Sequence, residues 1–327
     1  MSSAPDPIPA RALPISSRAP GKCIVFGEHA VVHGAPELVI AIDLETQLLL
    51  RTAERTTLNS DPAAAQENPY FREALARLWA SGPPLAVRSV TRIPRAAGLG
   101  SSASFSSALA AAMGAIAGGV DRPTLAQRAF EIERAAQGVG SPGDTAAIVA
   151  GGYVAVNGGP GEPIWTVATD DQRWEVRRVP DPGWVWVVAH SGVRRSTGEQ
   201  VRAVSERFRA EGGPALLGEF RRVAREGIAA VEHEDRARVA ALMRENHALL
   251  RAVGVSHPRL EALIEAAAPA AEAAKVTGAG GGGSILVLPV PGRETELVRR
   301  LARAGGLPFV VRASRSGAVL VEPPPGP

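Results

Sequence analysis

The segment that most constrains this chain is Pro94-Arg-Ala-Ala-Gly-Leu-Gly-Ser-Ser-Ala-Ser104. Gly98 and Gly100 allow backbone turns that residues with a Cβ disfavour. The serines that follow open an alanine-rich stretch, which predicts a helix over 101–116. The first N–H groups of a helix are unpaired and carry partial positive charge, so glycines and hydroxyls there favour an anion such as phosphate. An ordinary serine N-cap would explain the same residues. The segment is neither a Walker A motif nor a dinucleotide-binding glycine pattern.

Two further segments are glycine-rich. In chain order the first of the three segments is Ala19-Pro-Gly-Lys-Cys-Ile-Val-Phe-Gly-Glu-His-Ala-Val-Val-His-Gly34, and the segment 94–104 is the second. The third is Lys275-Val-Thr-Gly-Ala-Gly-Gly-Gly-Gly-Ser284. The third lies between apolar residues, as a tight turn between buried strands would, and such a turn brings backbone amides close to a ligand. A flexible linker is the alternative interpretation. Lys22 and Lys275 are the only lysines in the chain, and both lie in these segments.

Two carboxylates stand eleven residues apart, Glu133 at the end of a predicted helix over 124–137 and Asp144 in a glycine-bounded loop. One could hold a metal while the other faces a substrate hydroxyl. Taken alone, this segment is better explained by a solvated helix acid and an N-cap aspartate. His29 and His33 have the spacing of a helical metal pair, but their segment predicts strand and loop, so we do not expect a metal there. The other histidines considered are interpreted as structural: His190, His247 and His257.

Composition excludes several classes of protein. The single cysteine, Cys23, cannot form an intrachain disulfide or a cysteine-based zinc site, which fits a reducing compartment. A net charge of +3 is too weak to indicate nucleic-acid binding. The longest weakly polar run, 108–120, is too short to span a bilayer, and the proline-rich N-terminus does not resemble a signal peptide. We therefore expect a cytoplasmic protein with no membrane partner.

The pattern of apolar residues predicts an α+β protein of two domains, since 327 residues exceed the usual size of one. Strands are predicted over 37–51, 85–93, 151–157 and 184–190, with a polar stretch rich in proline and glycine between the last two. Helices are predicted over 69–81, 101–116, 124–137 and repeatedly from 197 to 271, followed by strand, loop and strand over 275–288 and a helix over 294–304. We expect a flexible tail at 1–16, an N-terminal domain at 17–183 and a C-terminal domain at 184–327.

The order and spacing of the three glycine-rich segments resemble the GHMP family of small-molecule kinases, over about residues 17–321. Two segments are similar to the mevalonate kinases within that family: Ser191-Gly-Val-Arg-Arg-Ser-Thr197 and Asn246-His-Ala-Leu-Leu-Arg-Ala-Val-Gly-Val-Ser256. The loop over 137–145, with its Ser-Pro-Gly-Asp, is similar to the archaeal-type form. Two positions depart from the family pattern: Ser284 stands where a cysteine often ends the third motif, and Val149 stands where relatives often have serine or threonine.

The resemblance implies an N-terminal domain like ribosomal protein S5, a ferredoxin-like C-terminal domain and an active site between them. It implies that ATP, with Mg²⁺, phosphorylates the C5 hydroxyl of mevalonate. By motif position Asp144 would be the catalytic base with Lys22 beside it, and Ser102 and Glu133 would ligate Mg²⁺. The residues that would bind ATP are Pro94, Gly98, Leu99, Gly100, Ser101, Ser102, Ala103 and Ser104. Those that would line the substrate site are Lys22, Glu28, His29, Ser141, Asp144, Arg195, Thr197, Gly278, Ala279 and Gly280.

Several alternatives stay open at this point. A sister kinase of the same fold could act on phosphomevalonate, on the 3-hydroxyl of mevalonate, on a sugar or on homoserine. A noncatalytic regulator that binds ATP or a metabolite would be expected to lack Glu133, Asp144 or Lys22, and all three are present. A structural protein would gain nothing from such glycine-rich loops. A homodimer is compatible with the sequence.

Overall fold

The computed structural model describes residues 6–138, 140–194 and 197–322. Within these ranges the chain forms two sheets, and the larger has eight strands. They are β1 (Ile15–Phe26), β2 (Glu37–Thr52), β3 (Thr57–Leu58), β4 (Leu85–Thr91), β5 (Tyr153–Val156), β6 (Glu162–Ala168), β7 (Arg173–Val179) and β12 (Val319–Val321). Their main order is β12-β1-β2-β5-β7-β6, with β4 pairing β2 and β3 pairing β4. The long β1 and β2 form the antiparallel centre of this sheet.

Five helices lie between the strands of the larger sheet. They are α1 (Pro62–Glu67), α2 (Pro69–Leu78), α3 (Ser101–Ile116), α4 (Arg122–Gln137) and α5 (Gly143–Ala150). Helix α3 occupies the predicted range, because Gly100 adopts a left-handed conformation (φ 75°) and the serines after it begin the helix. It is buried along almost its whole length, which its small side chains allow as it packs on β1 and β2.

The smaller sheet contains β8 (Trp186–His190), β9 (Ala271–Thr277), β10 (Ser284–Pro289) and β11 (Leu307–Val311). Its antiparallel order β11-β8-β10-β9 is that of a ferredoxin-like fold. The helices of this part are α6 (Thr197–Arg209), α7 (Gly213–Glu232), α8 (Arg236–Ala252), α9 (Pro258–Ala267) and α10 (Glu294–Arg303). The expected α+β class and the repeated helices after residue 197 are confirmed.

One hydrophobic core joins the two sheets. It contains apolar residues of β1, β2 and β5 together with residues of β8, β10, α7 and α8. Trp186 donates its indole N–H to the Tyr153 hydroxyl at 2.7 Å across this core. Helix α7 approaches β1 closely at Gly227, where a Cβ would lie 2.5 Å from the Phe26 ring. The junction between the sheets is therefore tightly packed, and it fixes the loops that meet above it.

Strands β6 and β7 were not predicted from the sequence. They lie in the stretch interpreted as polar and rich in proline and glycine, where Trp165 and Trp174 are buried. Proline and glycine in this stretch concealed a short alternation in β7, where Trp174 and Val176 are buried between exposed or half-buried neighbours. No helix among the described residues is long and apolar enough to cross a membrane.

Candidate active site

A cleft of about 790 Å³ opens where β1, the loop before α3, the start of α5 and the loop after β9 meet. Most of the residues predicted to form the site line it: Lys22, Glu28, His29, Pro94, Gly98, Gly100, Ser101, Ser102, Glu133, Ser141, Asp144, Gly278 and Ala279. Four others support the wall from behind. Leu99, Ala103 and Ser104 are fully buried, and Gly280 packs so tightly on the Val255 carbonyl that a Cβ would lie 2.1 Å from its oxygen.

The N-terminus of α3 forms one wall of the cleft. The Lys22 backbone N–H donates to the Leu99 carbonyl at 3.0 Å, which holds the glycine turn against β1. A Cβ on Gly100 would lie 2.7 Å from Cγ of Lys22, so glycine is required by both space and backbone angle. The Ser104 hydroxyl, one turn into the helix, donates to the Ala19 carbonyl at 2.7 Å. The first turn of α3 is thus fixed with Ser101 and Ser102 facing the cleft.

Glu133 lies across from this helix start, at the cleft-facing end of α4. Its carboxylate accepts hydrogen bonds from Ser102 Oγ at 3.0 Å, from Ser106 Oγ at 2.7 Å and from Gln137 Nε2 at 2.6 Å. Burial raises the pKa of Glu133 to about 7, against the hydrogen bonds from Ser106 and Ser102, which lower it. One carboxylate and one hydroxyl on the cleft suit Mg²⁺, which takes few protein oxygens when phosphates supply the rest. The described residues contain no cluster of three or more acidic, histidine or cysteine side chains that could hold a metal by themselves.

Lys22 and Asp144 form an ion pair inside the cleft. Lys22 Nζ lies 2.9 Å from Asp144 Oδ1, and the Lys22 side chain is only 5% exposed while that of Asp144 is 38% exposed. Asp144 is the second residue of α5, so its carboxylate stands at a helix start, where negative charge is favoured. The pair presents an accessible carboxylate held by a buried ammonium group.

Glu28 and Lys275 form a second ion pair below the floor of the cleft. Both side chains are completely buried, and Lys275 Nζ donates to Glu28 Oε1. Burial raises the pKa of Glu28 and lowers the pKa of Lys275, and each partner opposes the other's shift. The pair joins the loop after β1 to β9. The adjacent His29 lies with Nε2 3.0 Å from the Ala279 carbonyl, so the first and third glycine-rich segments are bonded together. The sequence marked Lys275 by its rarity, but its partner was not predicted.

A third buried acid, Glu37, was not predicted to belong to the site. It lines the cleft at the first position of β2, is 2% exposed and accepts a hydrogen bond from Ser141 Oγ at 3.3 Å. Burial and the charge of Asp144 raise its pKa to about 8. A single acid before the apolar run of β2 has no motif around it, so no sequence pattern indicated its position.

The third glycine-rich loop is held by backbone contacts. Gly281 donates to the Val255 carbonyl at 2.6 Å, and Gly283 donates to the Val193 carbonyl at 3.0 Å. The Ser284 hydroxyl donates to the Ala97 carbonyl at 2.8 Å and so ties this loop to the segment before α3. Ser284, which stands where the family often has a cysteine, therefore has a hydrogen-bond partner in the structure.

Two predicted substrate residues cannot be placed. Arg195 lies outside the described residues, and Thr197 is described only in its backbone, which begins α6. Arg202, further along α6, lines the cleft and was not predicted. The structure thus brings together the three glycine-rich segments with Glu133, Ser141 and Asp144 in one cleft.

Comparison with known proteins agrees with this arrangement. Residues 68–152 match the GHMP kinases N terminal domain, and residues 228–307 match the GHMP kinases C terminal domain. The mevalonate kinase of Pyrococcus horikoshii is 30% identical, covering 94% of this chain and 98% of that protein. The mevalonate kinase of Methanothermobacter thermautotrophicus is 33% identical, covering 88% and 94%.

Solved structures share the fold. A mevalonate kinase of L. major in complex with R-mevalonate has a TM-score of 0.78 at 21% identity, covering 96% of this chain and 99% of that one. The Methanococcus jannaschii mevalonate kinase has a TM-score of 0.72 at 21% identity, covering 93% and 99%. Through both domain matches and these relatives, the chain belongs to the GHMP kinases and, within them, to the mevalonate kinases.

Proposed function

We propose that this chain transfers the γ-phosphoryl group of ATP to the C5 hydroxyl of mevalonate. The observation that carries the proposal is the accessible Asp144 carboxylate, held 2.9 Å from Lys22 in the same cleft as the N-terminus of α3. Phosphoryl transfer needs little covalent work from a protein, and depends on positioning and on stabilising charge. A base for the alcohol and an anion site for the phosphates are the two parts that such a reaction needs.

The start of α3 is suited to the triphosphate. No side chain caps its first backbone N–H groups, and Gly98, Gly100, Ser101 and Ser102 line the cleft at this helix start. Donors fixed in place before the substrate binds stabilise phosphate charge without reorganising during the reaction. Pro94, which also lines the cleft, would bound the same nucleotide site.

Ser102 and Glu133 would hold Mg²⁺. The hydroxyl and the carboxylate already lie 3.0 Å apart, and both face the cleft beside the helix start. When bound there, Mg²⁺ would neutralise phosphate charge. Gln137 and Ser106 keep the Glu133 carboxylate oriented through their hydrogen bonds.

Asp144 would accept the proton of the C5 hydroxyl. The alcohol oxygen then forms a bond to the γ-phosphorus as the bond from that phosphorus to the β–γ bridging oxygen breaks, and ADP leaves with the electron pair. Lys22 holds the carboxylate in place and, as a buried cation, stabilises negative charge that develops on the alcohol oxygen.

The remaining assignments concern the substrate and the setting of the enzyme. Arg195 would grip the mevalonate carboxylate, because a planar guanidinium can hold both oxygens. Thr197, His29, Ser141 and the loop from Gly278 to Gly280 would complete the substrate site. Glu28 would act from beneath the floor, given its complete burial. The cytoplasmic location, the homodimer, and the domain limits at 17–183 and 184–327 remain predictions.

A substrate comparison tests the proposal. The purified chain with ATP and Mg²⁺ is offered mevalonate, phosphomevalonate, homoserine and galactose, and ADP release is measured together with the phosphorylated product. We expect kcat/KM for mevalonate to exceed the others by at least about 100-fold, since a polar site rejects analogues that leave its groups unpaired. Asp144→Asn serves as the control for contaminating kinases. Preference for another acceptor, or equal ADP release in the control, would refute the proposal.

A further inference from the structure

Glu37 occupies a wall of the cleft without any assigned role. It begins β2, where its backbone pairs with Val156 in the middle of the larger sheet, so its position is rigid. Its carboxyl accepts from Ser141 Oγ at 3.3 Å, and Ser141 Oγ accepts in turn from the Gly143 N–H at 3.4 Å. Gly143 is the first residue of α5, and Asp144 follows it. A chain of two hydrogen bonds therefore leads from the sheet to the helix start that carries Asp144.

Packing ties the same two elements together. A Cβ added to Gly143 would lie 2.0 Å from Glu37 Oε2 and 3.4 Å from a methyl group of Val39. The backbone of Gly143 is helical and has no need of glycine for its angles. The carboxyl of Glu37 occupies the place of a side chain at position 143, so any side chain there would have to displace it, and the first turn of α5 rests on that carboxyl.

The electrostatic surroundings keep this carboxyl neutral. The two lysines of the chain form their ion pairs with other acids, Lys22 with Asp144 and Lys275 with Glu28. Burial raises the pKa of Glu37 most, and the charges of Asp144 on α5 and Glu28 after β1 raise it further. Lys22 on β1 and the hydrogen bond from Ser141 lower it by less. With its pKa raised to about 8, the group carries a proton at neutral pH and adds no negative charge beside Asp144.

We infer that Glu37 is a positioning residue, whose neutral carboxyl holds the turn from Ser141 to Gly143 and so sets where Asp144 meets the substrate hydroxyl. The inference rests on the proposed function in taking Asp144 as the base. Ionisation of Glu37 would place a second negative charge near Asp144 and compete for Lys22. Glu37 would thus hold the turn, and its ionisation would lower kcat at alkaline pH.

Kinetics of three variants test this role. Glu37→Ala removes the support, and we expect kcat for mevalonate to fall by at least about 10-fold with the KM for ATP unchanged, because small misplacements of a reacting group are costly. Glu37→Gln keeps the shape and stays neutral, so we expect kcat within about threefold of wild type at pH 7 and a smaller loss of kcat between pH 7.5 and 9. Glu45→Gln, on the same strand and outside the cleft lining, is the control and should match wild type at every pH. Wild-type kcat in Glu37→Ala, or an unchanged alkaline limb in Glu37→Gln, would overturn the inference.

A second experiment needs no activity. Gly143→Ala should lower the melting temperature of the wild-type chain, because its Cβ collides with Glu37, but should be neutral or stabilising when combined with Glu37→Ala. Gly218→Ala in α7, where a Cβ meets nothing within 4 Å, is the control and should not destabilise. Equal tolerance of Gly143→Ala in both backgrounds would refute the contact on which the inference depends. If mevalonate proves not to be the substrate, this rescue still decides whether Glu37 supports α5.

Discussion

The substitution Asp144→Asn removes the negative charge of the proposed base and keeps the size of its side chain. The amide has the size of the carboxylate and can still accept from Lys22, so the turn before α5 should keep its structure. What is lost is the ability to take the hydroxyl proton, which typically contributes 10²–10⁴-fold. We expect kcat to fall by at least about 10²-fold, which corresponds to about 2.7 kcal/mol at 1.36 kcal/mol per decade. The KM for mevalonate should change little, because the loss is confined to the transition state.

The geometry of the ion pair sets the second part of this prediction. Opposite charges 2.9 Å apart attract by roughly 6 kcal/mol at an effective dielectric constant of about 20. The Asp144 side chain is 38% exposed, so screening by water reduces the net coupling to about 1–2 kcal/mol. Lys22→Met should also lower kcat. Because the two residues act as a unit, the double variant should lose less than the sum of the single losses.

The assay is single-turnover formation of phosphomevalonate under saturating ATP and Mg²⁺, with circular dichroism to show that each variant is folded. This step reports the transfer itself and excludes slow product release. A folded Asp144→Asn enzyme with near wild-type kcat would refute the base assignment. Strictly additive losses in the double variant would refute the coupling between Lys22 and Asp144.

Three further predictions concern the surrounding groups. Ser102→Ala and Glu133→Gln should each raise the Mg²⁺ concentration for half-maximal activity by about 10-fold, as loss of a ligand does, and leave the KM for mevalonate unchanged. An unchanged Mg²⁺ titration in both would contradict their assignment. Lys275→Met should lower the free energy of unfolding by about 3 kcal/mol, because it leaves the Glu28 carboxyl buried without its partner, and Glu28→Gln should restore part of that loss in urea unfolding. Glu37 keeps its proton up to about pH 8 in the folded state but releases it near its usual value of 4.5 when unfolded, so it lowers stability by up to about 1.4 kcal/mol per unit as pH rises between those values. Glu37→Gln should therefore show a weaker decline in stability from pH 5 to pH 8, and a decline equal to that of wild type would show that the group titrates elsewhere.

The sequence predicted elements best where a single physical signal dominated. Helix α3 was predicted with its bounds because glycine at position 100 disfavours a helix that begins earlier, and the alanines after Ser101 strongly favour a helix. The start of α5 was not predicted: Asp144 was placed in a glycine-bounded loop, because the glycines around it disfavour a helix. Strands β6 and β7 depend on pairing with β5, a tertiary contact that local composition does not encode.

The sequence predicted the site residues that belong to motifs. It did not predict those whose role depends on burial and on contacts with residues distant in sequence. Lys22, Asp144 and Glu133 stood out in the sequence and received their roles from the resemblance, and the structure brings them into one cleft. The environment of Glu28 depends on Lys275, a residue 247 positions away, and no local pattern indicates that contact. Glu37 shows the same limit, because its importance comes from the space that Gly143 leaves open and not from its neighbours in sequence.

The pairing of β12 with β1 has a consequence for the order in which the chain folds. Ser16 pairs with Val321, and Arg18 pairs with Val319, so one edge of the larger sheet is completed by residues more than 300 positions later in the sequence. Arg122 adds to this closure by donating to the Ala318 carbonyl. Contacts between residues so distant in sequence form late, since closing a long loop costs entropy before the contact stabilises anything. Until β12 has been synthesised, the edge of β1 that faces away from β2 therefore has unpaired backbone N–H and C=O groups. Another strand can pair wrongly with this edge during synthesis, or a chaperone can bind it.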